Sequence, residues 1–96
     1  MIKILLIDDE VDFIETLSRR LERRDYPSNM ALNGDQALRL VASEAPDVVV
    51  LDERFDAENP DQNDVLQYLE GLPMGTRRNM FVALVTERFR SMDNMA

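Results

Sequence analysis

The sequence predicts a doubly wound α/β domain, an open parallel sheet with helices on both faces, and three observations carry that prediction. Short apolar runs recur along the chain, helical stripes separate them, and two of the runs finish in carboxylates. Consecutive apolar residues over four to six positions suit strands covered on both faces. Strands alternating with helices, joined by right-handed crossovers, give a parallel sheet.

The first strand is Ile2-Lys3-Ile4-Leu5-Leu6-Ile7, running into Asp8-Asp9-Glu10. Val11, Ile14, Leu17 and Leu21 then recur at helical spacing with Phe13 beside them, a first helix stopped by Asp25-Tyr26-Pro27. Arg19, Arg20, Arg23 and Arg24 fall in its last turns, where cations suit the negative end of the helix dipole. Ser28 to Leu32 is a short, partly polar second strand, and Asn33-Gly34-Asp35 reads as a turn. Ala37, Leu38, Val41, Ala42 and Ala45 mark a second helix ended by Pro46.

The third strand is Asp47 to Leu51, running into Asp52. A polar stretch from Asp52 to Asn63 is expected to be a solvated loop, and Val65, Leu66 and Leu69 then signal a third helix terminated by Gly71 and Pro73. Arg77-Arg78 reads as part of a loop before a fourth buried strand, Met80 to Val85, which ends at Thr86. Phe89, Met92 and Met95 begin another helical stripe that runs to Ala96, so the chain is expected to be incomplete at that end. Tyr26, Tyr68 and the Phe and Met residues read as core or partly buried packing. There is no internal repeat or linker, and residues 1–96 form one domain.

Composition narrows the function. A chain of 96 residues with 45% hydrophobic residues makes one small domain that buries roughly 60–65% of its unfolded surface. With no cysteine there is neither a disulfide frame nor a thiolate metal site, and with no histidine the commonest transition-metal ligand is missing. A net charge of −8 argues against direct nucleic-acid binding, which needs a basic face. No apolar run is long enough to span a membrane and no signal peptide is evident, so a cytoplasmic module is expected.

Open parallel sheets bind ligands outside the carboxyl ends of their strands. With the first and third strands as neighbours, Asp8, Asp9 and Asp52 converge on one pocket. Two like charges about 5 Å apart repel by roughly 3 kcal/mol at an effective dielectric of about 20, so three carboxylates call for a cation. It must be a hard cation held by oxygen, and Mg²⁺ fits better than calcium because it needs few carboxylates and keeps its waters. Each residue also has a plainer role open to it. Asp8-Asp9-Glu10 suits the N-terminus of a helix, Asp52 a turn, Thr86 an ordinary strand end, and the arginine run a solvated, dipole-compensating face.

The acidic pair after the first strand, Asp52 after the third, Thr86 after the fourth, and the strand–helix order between them resemble a response-regulator receiver domain (CheY-like), the phosphoacceptor module of two-component signalling. The resemblance covers essentially the whole chain. It implies a flavodoxin-like sheet of strand order 2-1-3-4, with a fifth strand and last helix lacking here. It implies Asp52 as phosphoacceptor, and Mg²⁺ held by Asp8, Asp9, Asp52 and the backbone carbonyl of Arg54. Thr86 becomes the hydroxyl that moves toward the phosphoryl group.

The implied partners are a sensor histidine kinase or phosphotransfer protein, which in receivers often faces the first helix although a solvated face is the favoured reading of its arginines, and an unspecified effector. No enzyme activity is implied beyond self-phosphorylation and autodephosphorylation. Neither nucleic acid nor membrane is an implied partner. An uncovered fourth-strand edge would invite a dimer.

The sequence departs from the family at three places. Residues 87–96 hold no lysine, and Lys3 lies at the wrong end of the first strand for the family's phosphoryl-binding lysine; the family's aromatic switch residue is also absent. Glu53-Arg54-Phe55-Asp56-Ala57-Glu58-Asn59-Pro60-Asp61 replaces the usual Met-Pro and glycine, and Glu87 follows Thr86. These departures support an alternative, a pseudo-receiver acting as a protein-interaction module without phosphorylation. A phosphatase with an aspartyl nucleophile is disfavoured, because the Asp-x-Asp that it needs at a strand end is missing.

Overall fold

The computed structural model describes residues 2–55 and 63–86. Its elements are β1 (Ile4–Ile7), α1 (Val11–Glu22), β2 (Ser28–Ala31), α2 (Gly34–Glu44), β3 (Val48–Asp52), α3 (Asp64–Glu70), α4 (Met74–Arg77) and β4 (Phe81–Val85). The strands form one parallel sheet in the order β2-β1-β3-β4, the predicted doubly wound arrangement.

Side chains leave a strand on alternate faces, and β1 feeds two cores. Ile4 and Leu6 pack with Ile14, Leu17 and Leu21 of α1 and with Val48 and Val50 of β3. Leu5 and Ile7 join Val49, Leu51, Ala37, Val41, Val65 and Leu69, the side covered by α2 and α3. All four β1 residues are buried, and each such side chain contributes roughly 1.5–3 kcal/mol of apolar burial. The continuous apolar run therefore follows from having helices on both sides.

Register places the strand ends. Ile7 of β1 sits across from Leu51 of β3, so Asp8 and Asp52, the next residues, leave the sheet side by side. Asp52 is itself the last residue of β3, paired with Val85. The strand is thus shifted by one residue from the expected 47–51. Asp47 stays outside because its carboxylate accepts from the Lys3 amide at 2.9 Å.

Other departures have local causes. Asn33-Gly34-Asp35 is not a free turn. Asn33 caps α2, its Oδ1 accepting from the Gln36 amide at 2.9 Å, while Gln36 Oε1 accepts from the Leu32 amide at 2.9 Å. That bond takes Leu32 out of β2. Arg77 belongs to the short helix α4, which Pro73 opens. The fourth strand is only partly buried: Val85 is in the core, while Phe81 is 67% and Leu84 44% exposed, and β4 pairs with β3 alone among the described residues. Tyr26, in the connection after α1, and Tyr68 and Val11, on α3 and α1, are likewise exposed.

The chain turns through left-handed backbone at two non-glycine residues, Asp25 after α1 and Ala45 after α2. Pro46 follows Ala45 and blocks any continuation of α2. The acidic run 56–61, Glu87 and the stripe Phe89, Met92 and Met95 lie outside the described residues.

Candidate functional site

The site is assembled where β1 and β3 end. Asp8 is buried, and its amide extends the β1–β2 ladder by donating to the Ala31 carbonyl at 3.1 Å. Its Oδ1 accepts from the Glu10 amide at 2.9 Å, a bond to the residue two positions on that folds the chain into α1. Helix entry therefore explains part of the acidic run. Glu10 occupies the N-cap position without a side-chain cap bond. Asp9 is exposed.

Asp52 is 9% exposed and held from several directions. Its Oδ1 accepts from the Arg54 amide at 3.2 Å. Its carbonyl accepts from the Phe55 amide at 3.0 Å and from Asn63 Nδ2 at 3.0 Å. The next amide, of Glu53, continues the ladder to the Val85 carbonyl at 3.2 Å. The backbone of Asp52 is thus fixed by hydrogen bonds within the fold.

One carboxylate oxygen from each of Asp8, Asp9 and Asp52 lies within 4.8 Å of the others. Two of these carboxylates are buried, so the dielectric screening that separates exposed charges is reduced. The donor set is oxygen alone, and the sequence holds no histidine or cysteine. That chemistry fits a hard divalent cation, with waters completing the shell.

Thr86 follows β4 directly and is half-buried. Since Asp52 pairs with Val85, Thr86 lies one residue past that partner, at the same edge of the sheet. Arg54 is placed there by the turn after β3, its amide on the Asp52 carboxylate.

Two residues of this region escape the pattern-based reading. Phe55, a single apolar residue in a polar run, is 2% exposed and packs in the α2–α3 core. Asn63 is fully buried, caps α3 through its Oδ1, and donates from Nδ2 to the carbonyls of Asp52 and Glu53. Its position before Asp64-Val65 is the usual one for an N-cap, which was the available signal. The arginines of α1 are exposed, and the Arg19–Glu15 pair at 3.7 Å is a surface contact of little energetic weight.

Comparisons with known proteins agree with this geometry. No protein-family model matches the chain. Over 50 residues, 52% of the chain, it is 42% identical to the alkaline phosphatase synthesis transcriptional regulatory protein PhoP of Bacillus subtilis. Over 51 residues, 53% of the chain, it is 43% identical to the response regulator MprA of Mycolicibacterium vanbaalenii. The matches cover 21% and 22% of those proteins, so the chain spans about a fifth of the length of these curated relatives.

Among solved structures, a response regulator from Burkholderia pseudomallei, with a phosphorylated aspartic acid, calcium ion and citrate, superposes with a TM-score of 0.71 at 28% identity. That match covers 90% of this chain and 47% of that one. A response regulator receiver protein from Pseudomonas putida gives a TM-score of 0.72 at 17% identity, covering 98% of this chain and 77% of that one, a likeness of fold. The chain is therefore a homologue of response regulators, and its parallel 2-1-3-4 sheet is that of their flavodoxin-like receiver domain.

Proposed function

We propose that this chain is a phosphoacceptor domain of two-component signalling in which Asp52 is the nucleophile. The observation that carries the reading is the convergence of Asp8, Asp9 and Asp52 within 4.8 Å at the carboxyl edge of a receiver-type sheet. A carboxylate oxygen of Asp52 attacks the phosphorus of a phosphohistidine, on a sensor histidine kinase or a phosphotransfer protein, or of a small-molecule donor. The bond from phosphorus to the donor breaks, the leaving group keeps its electron pair, and Asp52 carries an acyl phosphate.

Asp8, Asp9, Asp52 and the Arg54 carbonyl are the groups that would hold Mg²⁺, which when bound offsets the negative charge of carboxylates and phosphoryl oxygens. The hydrogen bonds to the Asp52 carbonyl and Oδ1 keep the nucleophile in one orientation. Thr86 supplies a hydroxyl at the same edge, and its engagement by the phosphoryl group shifts the population of surface conformations that an effector reads. The chain is no enzyme toward an external substrate, acting at most in its own phosphorylation and dephosphorylation. Its place is the cytoplasm; no helix among the described residues is long and apolar enough to cross a membrane. The β4 edge, which has no strand beside it among the described residues, suits a dimer.

The test is uptake of labelled phosphoryl from a small-molecule donor with Mg²⁺. The parent chain should form a hydroxylamine-sensitive adduct, and Asp52→Asn should form none. Equal labelling of the two would sink the assignment.

One observation favours a second reading, a pseudo-receiver that binds partners without phosphorylation. Lys3, the single lysine of the sequence, is tied at the opposite end of the sheet, its Nζ donating to the Glu44 carbonyl at 3.1 Å. Lys3 is therefore not placed to meet a phosphoryl oxygen at the carboxyl edge. An unlabelled parent that still binds Mg²⁺ would favour this alternative.

A further inference from the structure

We infer that Asn63 is a positioning residue for the acidic pocket: its amide ties the end of β3, and through it Asp52, to the start of α3. This rests on the reading of the pocket as a divalent-cation site.

Asn63 is 0% exposed, and a buried amide is tolerated only with its donors and acceptor satisfied. Its Oδ1 accepts from the Leu66 amide at 3.1 Å. Its Nδ2 donates to the Asp52 carbonyl at 3.0 Å and to the Glu53 carbonyl at 3.2 Å. Two carbonyl acceptors on one side and an N–H on the other permit a single amide orientation. Capping α3 accounts for the Oδ1 bond, but Asp, Ser or Thr would cap as well. The two donated bonds need an amide, and they land on the phosphoacceptor and the residue after it.

The bond to Asp52 completes a set. With the Phe55 amide it gives the Asp52 carbonyl two donors, while the Arg54 amide holds Oδ1. The carboxylate is aimed by a backbone that α3 anchors across eleven residues. An aspartate at position 63 would turn an acceptor toward two carbonyl oxygens and push the strand end away. Small displacements matter here because Mg²⁺ demands near-ideal octahedral geometry, and groups that orient metal ligands typically control about 10–100-fold in affinity.

The experiment titrates the full chain with Mn²⁺ as the probe, following loss of the free-ion EPR signal, for the parent, Asn63→Asp, Asn63→Ser and Val41→Ala. Asn63→Asp keeps the cap and loses both donated bonds. Asn63→Ser loses the bridge without adding charge, and it decides the matter if the aspartate variant does not melt cooperatively. Val41, buried on α2 away from the pocket, serves as a control for stability alone. Affinity should fall about tenfold in the Asn63 variants and stay at the parent value in Val41→Ala. Asn63 variants that bind as tightly as the parent, or a Val41→Ala loss as large as theirs, would overturn the inference alone. A parent chain that leaves the Mn²⁺ signal unchanged would instead sink the cation pocket, and this inference with it.

Discussion

At the residue scale, backbone conformation at a single position has a measurable cost. Ala45 ends α2 at φ 45°, ψ 63°, the left-handed region that disfavours a Cβ by roughly 1–2 kcal/mol. It is exposed, so burial of its methyl group offsets little of that cost. Glycine removes the clash but gives the unfolded chain more freedom. Ala45→Gly should therefore raise stability modestly, by about 0.5–1 kcal/mol, read as a higher urea midpoint at unchanged slope. A lower midpoint would mean that Pro46, rather than the Cβ of Ala45, dictates this turn.

At the element scale, helix entry decides what was legible and what was not. Asn33 Oδ1 takes the Gln36 amide and Gln36 Oε1 returns to the Leu32 amide, a reciprocal arrangement close to a capping box. Asn33→Ala should cost about 1 kcal/mol in chemical denaturation and leave cation affinity near the parent value, since Asn33 contributes none of the three clustered carboxylates. A loss of affinity would show that α2 and the pocket are coupled. The same three residues read as a turn in the sequence because Asn-Gly-Asp is strong turn chemistry, and only the Gln36 side chain reveals the cap. The apolar runs behaved differently. β1 and β3 are continuous because both sheet faces are covered, so they announce themselves, and with them Asp8 and Asp52. Asn63 gave no comparable signal: its partners lie ten and eleven residues back, a pairing made only by the folded sheet. The exposure of β4 was hidden for a related reason, as an apolar run does not say how many neighbours its strand has.

At the scale of the whole molecule, a cation held by the three carboxylates should add to the stability of the fold. Asp8 and Asp52 are distant in sequence and meet only because β1 and β3 pair in register, so the unfolded chain has no equivalent site. Binding free energy is then folding free energy. At a cation concentration about 100 times the dissociation constant the gain is roughly 2.7 kcal/mol, which in a domain of this size corresponds to a rise in Tm on the order of 10–20 °C. A chain of net charge −8 also gains from general screening of its self-repulsion, and that part does not need the pocket. Asp52→Asn separates the two. The variant keeps nearly the same overall charge and the same screening, but it loses a ligand and one of the charges that attract the ion. Melts with Mg²⁺ at constant ionic strength should give a saturable rise in the parent and a much smaller one in the variant. Equal rises in both would assign the stabilisation to screening, and the three carboxylates would then be a consequence of strand register with no cation to hold.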